Sequence, residues 1–156
     1  MVMHIQELTN EQNIAHYIKE ILHLWNENCI ETAECELEEA DRKAIGEQII
    51  RYVSSPHGVV LLAISKEHEI VGYSIASTKQ DLVSNEQYGQ IDEVYIAKGW
   101  RRKQVANEFV SQIMRFFQQK DICTIYVHVD LENQLAAHFW EGIGFDKEFH
   151  LFSHVK

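Results

Sequence analysis

The chain has 156 residues, 46% hydrophobic and 24% charged, which suits a single globular domain, residues 1–156, with a buried core. Its formal net charge of −10 argues against a general nucleic-acid binder, because the phosphate backbone would repel it. The charge is uneven: residues 1–90 hold 15 Asp/Glu against 6 Lys/Arg, and residues 91–156 hold 9 against 8.

Thr9, with Gln12 three residues on, reads as a helix start. Ile14, Ile18, Ile21, Leu22 and Trp25 then recur at helical spacing to about Asn26. Residues 27–35 read as a connection. Leu37, Ala40, Ala44, Ile45, Ile49, Tyr52 and Val53 predict a second helix that ends before Ser54–Gly58. Val59–Ser65 is an apolar run fit for a buried strand, and Ile70–Ser77 completes a hairpin across the polar turn Lys66–Glu69. Gly72, inside that second strand, suggests a bulge or close packing. Thr78–Gly89 reads as a loop and Gln90–Ile96 as a strand. Val105, Phe109, Ile113, Phe116 and Phe117 line one side of a helix. Thr124–Val129 is β-branched and predicts a strand, Asn133–Glu141 a short helix stopped at Gly142–Gly144, and Glu148–Val155 a final strand. The order α-α-β-β-β-α-β-α-β predicts an α/β (α+β) domain with a mixed sheet.

No apolar run is long enough for a membrane helix. The N-terminal MVMHIQELTNEQ lacks the basic-then-apolar pattern of a signal peptide. Cys29, Cys35 and Cys123 are odd in number and show no CxxC spacing, so neither a disulfide framework nor a zinc site is expected, and a reducing cytoplasm is the expected location. The His residues form no HExxH or comparable pair, so no metal is expected. The segment Ile91–Val110, IDEVYIAKGWRRKQVANEFV, stands out. A strand runs through a basic turn into a helix, which places free backbone N–H groups, a helix dipole and Lys98, Arg101, Arg102 and Lys103 together. That arrangement suits a small phosphate-bearing anion.

Three pieces in sequence resemble the GNAT superfamily of N-acetyltransferases, from about Val59 to the C-terminus: VVLLAISKEHEIVGYSIAS with its Gly72, IDEVYIAKGWRRKQVA, and VHVDLENQLAAHFWEGIGF with Asn133 and Gly144–Phe145. The resemblance implies a mixed, mostly antiparallel sheet flanked by helices, with splayed strands forming an acetyl-CoA cleft. It implies that the backbone of the strand Val94–Tyr95–Ile96, through Val94 and Ile96, pairs with the pantetheine arm. It also implies that backbone N–H groups of Arg101, Arg102, Lys103, Gln104, Val105 and Ala106, with Asn107 next in the helix, cradle the pyrophosphate. Asn133 and Trp140 complete the implied cofactor contacts. Two positions depart from the family pattern. Gln104 stands where a glycine is usual, and a left-handed φ there would be strained. Trp140 replaces a tyrosine that is a proposed acid for the leaving thiolate, and an indole cannot serve as that proton donor.

Acetylating an amine requires it to be neutral, and an alkyl ammonium has a pKa of about 10.4, so a base or a water relay must take its proton. Glu93 is the first candidate and Asp92 the second. Strand alternation would put them on opposite faces, so that only one meets the substrate directly. His128 in the next strand suits a proton shuttle; its other reading is a histidine hydrogen-bonded in the sheet. His138 points elsewhere. The acidic run Glu31, Glu34, Glu36, Glu38, Glu39 and Asp41 would draw polyamines, aminosugars or lysine-bearing peptides, or else is a solvated helix face. Tyr73, Tyr95 and Tyr126 either line the cleft or fill the core, and packing in the core or sheet is the expectation. The expected function is acetyl transfer from acetyl-CoA to a primary amine of a small molecule or peptide in a ternary complex. The alternative is a non-catalytic CoA-binding regulatory protein on the same scaffold. The expected partners are the amine substrate, with no nucleic acid and no membrane; a homodimer stays open.

Overall fold

The computed structural model describes residues 3–11 and 13–156. Five strands, β1 (Met3–Glu7), β2 (Gly58–Ser65), β3 (Ile70–Gln80), β4 (Gln87–Ile96) and β5 (Ile125–Val127), form one sheet in the order β1-β2-β3-β4-β5. All neighbours are antiparallel except β4 and β5, which are parallel. Helices α1 (Ile14–Ala33) and α2 (Glu39–Ser54) cover one face, and α3 (Val105–Gln118) and α4 (Gln134–Gly142) the other.

A sheet covered on both sides explains the unbroken apolar run in β2. Val60, Leu62 and Ile64 join Ile21, Leu24, Ile49, Tyr73, Ile75 and Tyr95 beneath α1 and α2. Val59, Leu61 and Ala63 point the other way, into a cluster with Ala76, Ile91, Phe109, Ile113, Phe117 and Trp140. Two glycines let α3 press onto the sheet. A Cβ on Gly72 would lie 2.9 Å from the Tyr95 carbonyl and 3.3 Å from the Phe109 ring, and one on Gly89 would lie 2.7 Å from the Phe117 ring.

The structure differs from the sequence reading at several boundaries. Met3–Glu7 is an edge strand on β2 that the sequence reading lacks; its Met3 and Ile5 reach the α3-side core, but five residues carry too little pattern to announce it. The helix begins at Ile14 rather than Thr9, and Gln12 lies outside the described residues. It also runs past Asn26 to Ala33, because NENCIETA contains neither Gly nor Pro to stop it. It ends at Glu34, which is left-handed (φ 55°) and donates its N–H to the Ile30 carbonyl. β3 and β4 extend into the expected loop and leave only 81–86 as a turn, where the Asp81 carboxylate accepts from the N–H groups of Val83 and Ser84, both at 2.8 Å. At the far edge the expectation exceeds the structure. β5 forms over Ile125–Val127 only, and the predicted strand Glu148–Val155 is irregular and exposed.

Candidate active site

The centre of the site is an irregularity in β4. Ile75 of β3 stands opposite Glu93, but the next β3 residue, Ala76, stands opposite Ile91, so Asp92 is an extra residue bulged out of the ladder. Ile91 and Val94 therefore both pack toward α3, while Asp92 and Glu93 between them both turn toward α1 and α2. This corrects the expectation that the two carboxylates lie on opposite faces. Simple alternation fails at a bulge, and Ser74 Oγ steadies the distorted backbone by donating to the Glu93 carbonyl at 3.0 Å.

The two carboxylates line a small cleft of about 40 Å³ with Trp25, Ile45, Gln48, Ile49, Tyr52 and Ile75. Their surroundings divide their roles. Asp92 is held by three donors: Ser77 Oγ at 2.7 Å and Tyr52 Oη at 3.3 Å on one oxygen, and Gln90 Nε2 at 3.0 Å on the other. Among the described residues no side chain donates to Glu93. Burial, and then the charge of Asp92, push the Glu93 carboxyl up to about 7. Tyr73, fully buried beneath α1 and stacked on Trp25, carries a hydroxyl without a partner among the described residues. Its pKa is raised by burial and then by Glu93, so it stays protonated. A larger hollow of about 290 Å³ between the ends of α2 and α3 gathers no such pair of carboxylates.

Beyond the bulge, β4 loses its outer neighbour. β5 pairs with Gly89, Gln90 and Ile91 and goes no further, while β4 continues to Ile96. Ala97 N–H bonds to the Val71 carbonyl at 2.9 Å. That phase of the antiparallel ladder aims the polar backbone of Tyr95 at β3 and that of Val94 and Ile96 at the open side. The strand then enters the turn to α3. Arg102 (φ 60°) and Gln104 (φ 66°) are both left-handed, and Gln104 caps the helix. Glycine adopts this conformation at least cost, and the exposed Gln104 bears the strain with a local partner, Asn107 Nδ2, on its side-chain oxygen. The first bond inside α3 runs from Glu108 N–H to the Gln104 carbonyl, so the N–H groups of Val105, Ala106 and Asn107 precede the ladder and suit an anion.

Arg101 is spent differently from what its sequence position suggests. Its Nη2 pairs with both oxygens of Glu31 at 2.9 and 3.1 Å, and its Nε donates to the Ile96 carbonyl at 2.9 Å. The Tyr95 hydroxyl donates to the same carboxylate at 2.7 Å. Burial opposes ionisation of Glu31, but these bonds hold its carboxyl below the usual range. The clamp ties the end of α1 to the turn before α3. Its guanidinium is neutralised, so the cations left for an anion are Lys98, Arg102 and Lys103, the last lying 5.1 Å over the Trp100 ring.

Other expected residues are placed elsewhere. His128 is exposed after β5 and does not line the cleft of Glu93. Trp140 is 7% exposed, packed between Phe139 and Phe145 in the α3-side core. Asn133 caps α4, accepting the Ala136 N–H at 3.1 Å. Glu38 and Asp41 form a capping box at the start of α2, which accounts for part of the acidic run. Tyr52 and Ser77, which fix Asp92, escaped the sequence reading as site residues, and Glu31 was read there only as part of the acidic run, not as the partner of Arg101. The bulge left a trace: Ile91 and Val94 are apolar three positions apart, a break in period-two alternation.

Among the described residues no helix is long and apolar enough to cross a membrane, and no group of His, Cys, Asp or Glu could hold a metal ion. A model of the acetyltransferase (GNAT) family matches residues 18–145. No curated protein matches the chain by sequence. Among solved structures, AAC(6')-Iy in complex with the bisubstrate analogue CoA-S-monomethyl-acetylneamine has a TM-score of 0.77 at 16% identity, covering 99% of this chain and 97% of that one. The aminoglycoside 6'-N-acetyltransferase AAC(6')-Ih from Acinetobacter baumannii has a TM-score of 0.75 at 16% identity, over 99% and 97%. A putative acetyl transferase from Pyrococcus furiosus has 0.76 at 15%, over 99% of both chains. At these identities the similarity is one of fold.

Proposed function

The chain belongs to the acetyltransferase (GNAT) family, and from that premise we propose that it transfers an acetyl group from acetyl-CoA to a primary amine of a small molecule or peptide, directly within a ternary complex. One observation carries this reading. The bulge in β4 turns a carboxyl whose pKa burial pushes up to about 7 into a cleft, on the strand whose open edge runs into the turn where N–H groups precede the α3 ladder. We read residues 1–156 as a single domain. Three free cysteines suit a reducing cytoplasm.

The chain's own groups divide the work. The N–H groups of the turn Arg101–Ala106, of Asn107 and of the α3 start hold the pyrophosphate, with Arg102 and Lys103 adding screened attraction. Val94 and Ile96 offer backbone groups to the pantetheine amides, and Tyr95 between them braces the strand through Glu31. Glu93 takes one proton of the bound ammonium; the freed nitrogen lone pair forms the C–N bond at the thioester carbon, the C–S bond breaks, and the second proton leaving the nitrogen passes to the departing sulfur. A backbone N–H on the open edge stabilises the oxyanion. The departing thiolate has a conjugate pKa of about 8.5, so it leaves without a strong acid and Trp140 in the core is no obstacle. Burial, and then the neighbouring Asp92, which three donors fix in place, hold the Glu93 carboxyl near neutrality.

The acceptor we favour is a polycationic amine. Glu34, Glu36 and Glu39 are exposed around the start of α2, and two of the similar folds are named for action on aminoglycosides, which are polycationic aminosugars. A non-catalytic CoA-binding protein is the second reading, favoured by the Ile96 carbonyl already accepting from Arg101 and by glutamine at position 104. Calorimetry with acetyl-CoA followed by thiol-release assays over polyamines, aminosugars and lysine peptides separates the readings. We expect binding and CoA release with at least one polycationic amine. Absence of binding at millimolar acetyl-CoA would sink both readings, and binding without release across the panel would leave the second.

A further inference from the structure

Two of the cysteines meet at the end of α1, beside the cleft of Glu93 and unused by the chemistry assigned to it. Cys29 is half-buried on the face of α1 that carries Trp25 one turn earlier, and Trp25 lines the cleft. Cys35 is exposed in the connection to α2. The chain doubles back between them. Left-handed Glu34 donates its N–H to the Ile30 carbonyl at 3.1 Å, and Leu37 N–H donates to Asn26 Oδ1 at 2.7 Å. Along the helix axis those two anchors, Asn26 and Ile30, lie only about 6 Å apart, less than the roughly 10 Å that three extended residues span. Cys35 is therefore held alongside the stretch of α1 that contains Cys29. A left-handed helix end commonly sets the residue after the cap against the last turn of the helix, here Ile30 and Cys29. Electrostatics agree with this placement. Burial, then Cys35, and then Glu93 and Asp41 push the Cys29 thiol up, so Cys29 lies within range of both the second thiol and the candidate base.

We propose that Cys29 and Cys35 are a redox modification site, at which a hydroperoxide converts the two thiols to an intrachain disulfide that pins the α1–α2 connection beside the cleft of Glu93. Exposure sets the order of events. Cys35 meets the oxidant first, and Cys29, half-buried and held protonated, resolves it. The Cys35 thiolate attacks one peroxide oxygen, the O–O bond breaks, and the leaving hydroxide takes the proton that Cys35 released, giving a sulfenic acid and one water. The Cys29 sulfur then attacks the Cys35 sulfur. An S–S bond forms, the S–O bond breaks, and the hydroxide departs with the Cys29 proton as a second water. Two thiols lose two electrons, and one peroxide becomes two waters. Cys123 has no share in this, since it lies on the other side of the sheet in the turn after α3, its thiol facing the Asp121 carbonyl. The consequence for catalysis rests on the acetyl-transfer reading. Glu34 and Glu36 flank Cys35 and belong to the acidic run that draws the amine, so a bridge that fixes this segment weakens acceptor recognition and leaves the anion-binding turn at α3 untouched.

The test is intact-mass measurement of the full chain after a modest excess of hydrogen peroxide, followed by denaturation and Glu-specific digestion. That protease cuts after Glu31 and Glu34, so only a bridge keeps Cys29 and Cys35 in one product. The expected result is loss of two hydrogens, a linked product containing both cysteines, Cys123 still open to alkylation, and reversal by a dithiol. Amide exchange in 34–38 should slow in the bridged protein. Cys123→Ser should bridge as the parent does, and Cys35→Ser, at an exposed position, should not bridge. In the bridged protein KM for a responsive amine should rise at least threefold with acetyl-CoA affinity by calorimetry unchanged. Oxygen added at Cys35 without loss of hydrogens would overturn the proposal. So would disulfides formed mainly between chains, or unchanged exchange in 34–38. An unchanged KM in fully bridged protein would overturn the placement beside the cleft. If no amine is turned over in either form, the acetyl-transfer reading fails, while mass and exchange still decide whether the bridge exists.

Discussion

Replacing Glu93 by Gln tests whether the carboxyl in the cleft is held in its neutral form by its surroundings. The folded pKa of about 7 lies above the ordinary value of 4.5. The sign follows from that. The folded state binds the proton more tightly than the unfolded one, so the stability contributed by protonated Glu93 is fully present below the unfolded pKa and is lost as pH rises through the folded pKa. A gap of that size corresponds to about 3 kcal/mol, of which about 2 kcal/mol is lost between pH 5.5 and pH 8. Glutamine has the shape of the protonated acid and does not titrate. Glu93→Gln should therefore match the parent protein to within about 1.5 kcal/mol at pH 5.5 and exceed it by about 3 kcal/mol at pH 8. Urea unfolding at both pH values, followed by tryptophan fluorescence at fixed protein concentration, reads the difference directly. Trp25 lines the same cleft and reports on it. A variant whose stability relative to the parent does not change with pH would refute the burial argument and, with it, the poise of Glu93 as a base.

Gln104→Gly should raise stability by about 1 kcal/mol by relieving the left-handed glutamine, and should keep or tighten acetyl-CoA binding by calorimetry; clear weakening would mean that the glutamine side chain itself grips the phosphates. Tyr73→Phe should be neutral or stabilising by up to about 1 kcal/mol, since it deletes a buried hydroxyl without a partner; a loss of more than that in thermal unfolding would reveal a bound water or substrate contact there. A double-mutant cycle of Arg101→Ala and Glu31→Gln should give a coupling of about 1 kcal/mol, modest because the arginine side chain is 42% exposed; additive effects would show that the clamp does not hold in solution.

Periodicity carried the parts of the fold that are long and repetitive. The apolar run of β2, the phenylalanines of α3 and the strand–turn–helix at Ile91–Val110 each repeat one physical signal over many residues, and each element is where its pattern puts it. Gly72 was legible as a bulge or close packing; the Tyr95 carbonyl and the Phe109 ring pack there, and the β2–β3 register shifts beside it. What escaped depends on contacts distant in sequence. Arg101 and Glu31 lie 70 residues apart, and nothing in the basic turn distinguishes an arginine facing a carboxylate from one facing a phosphate. The bulge at Asp92 is local, but reading it requires preferring a single three-residue spacing over the alternation around it. The last strand fails for a different reason. Its pattern is that of a strand, yet residues 148–155 form no ladder with β5, whose own pairing ends at Val127.

The most direct test of the account is the pH dependence of kcat/KM for acetyl transfer to a responsive polyamine or aminosugar, measured for the parent protein and for Glu93→Gln. The account predicts a rate that rises with pH through an inflection near the Glu93 pKa of about 7, and a variant in which turnover falls at least a hundredfold while acetyl-CoA affinity is unchanged. A variant that turns over at the parent rate with the same inflection would contradict it, because the proton would then leave by a group other than the one the bulge turns into the cleft.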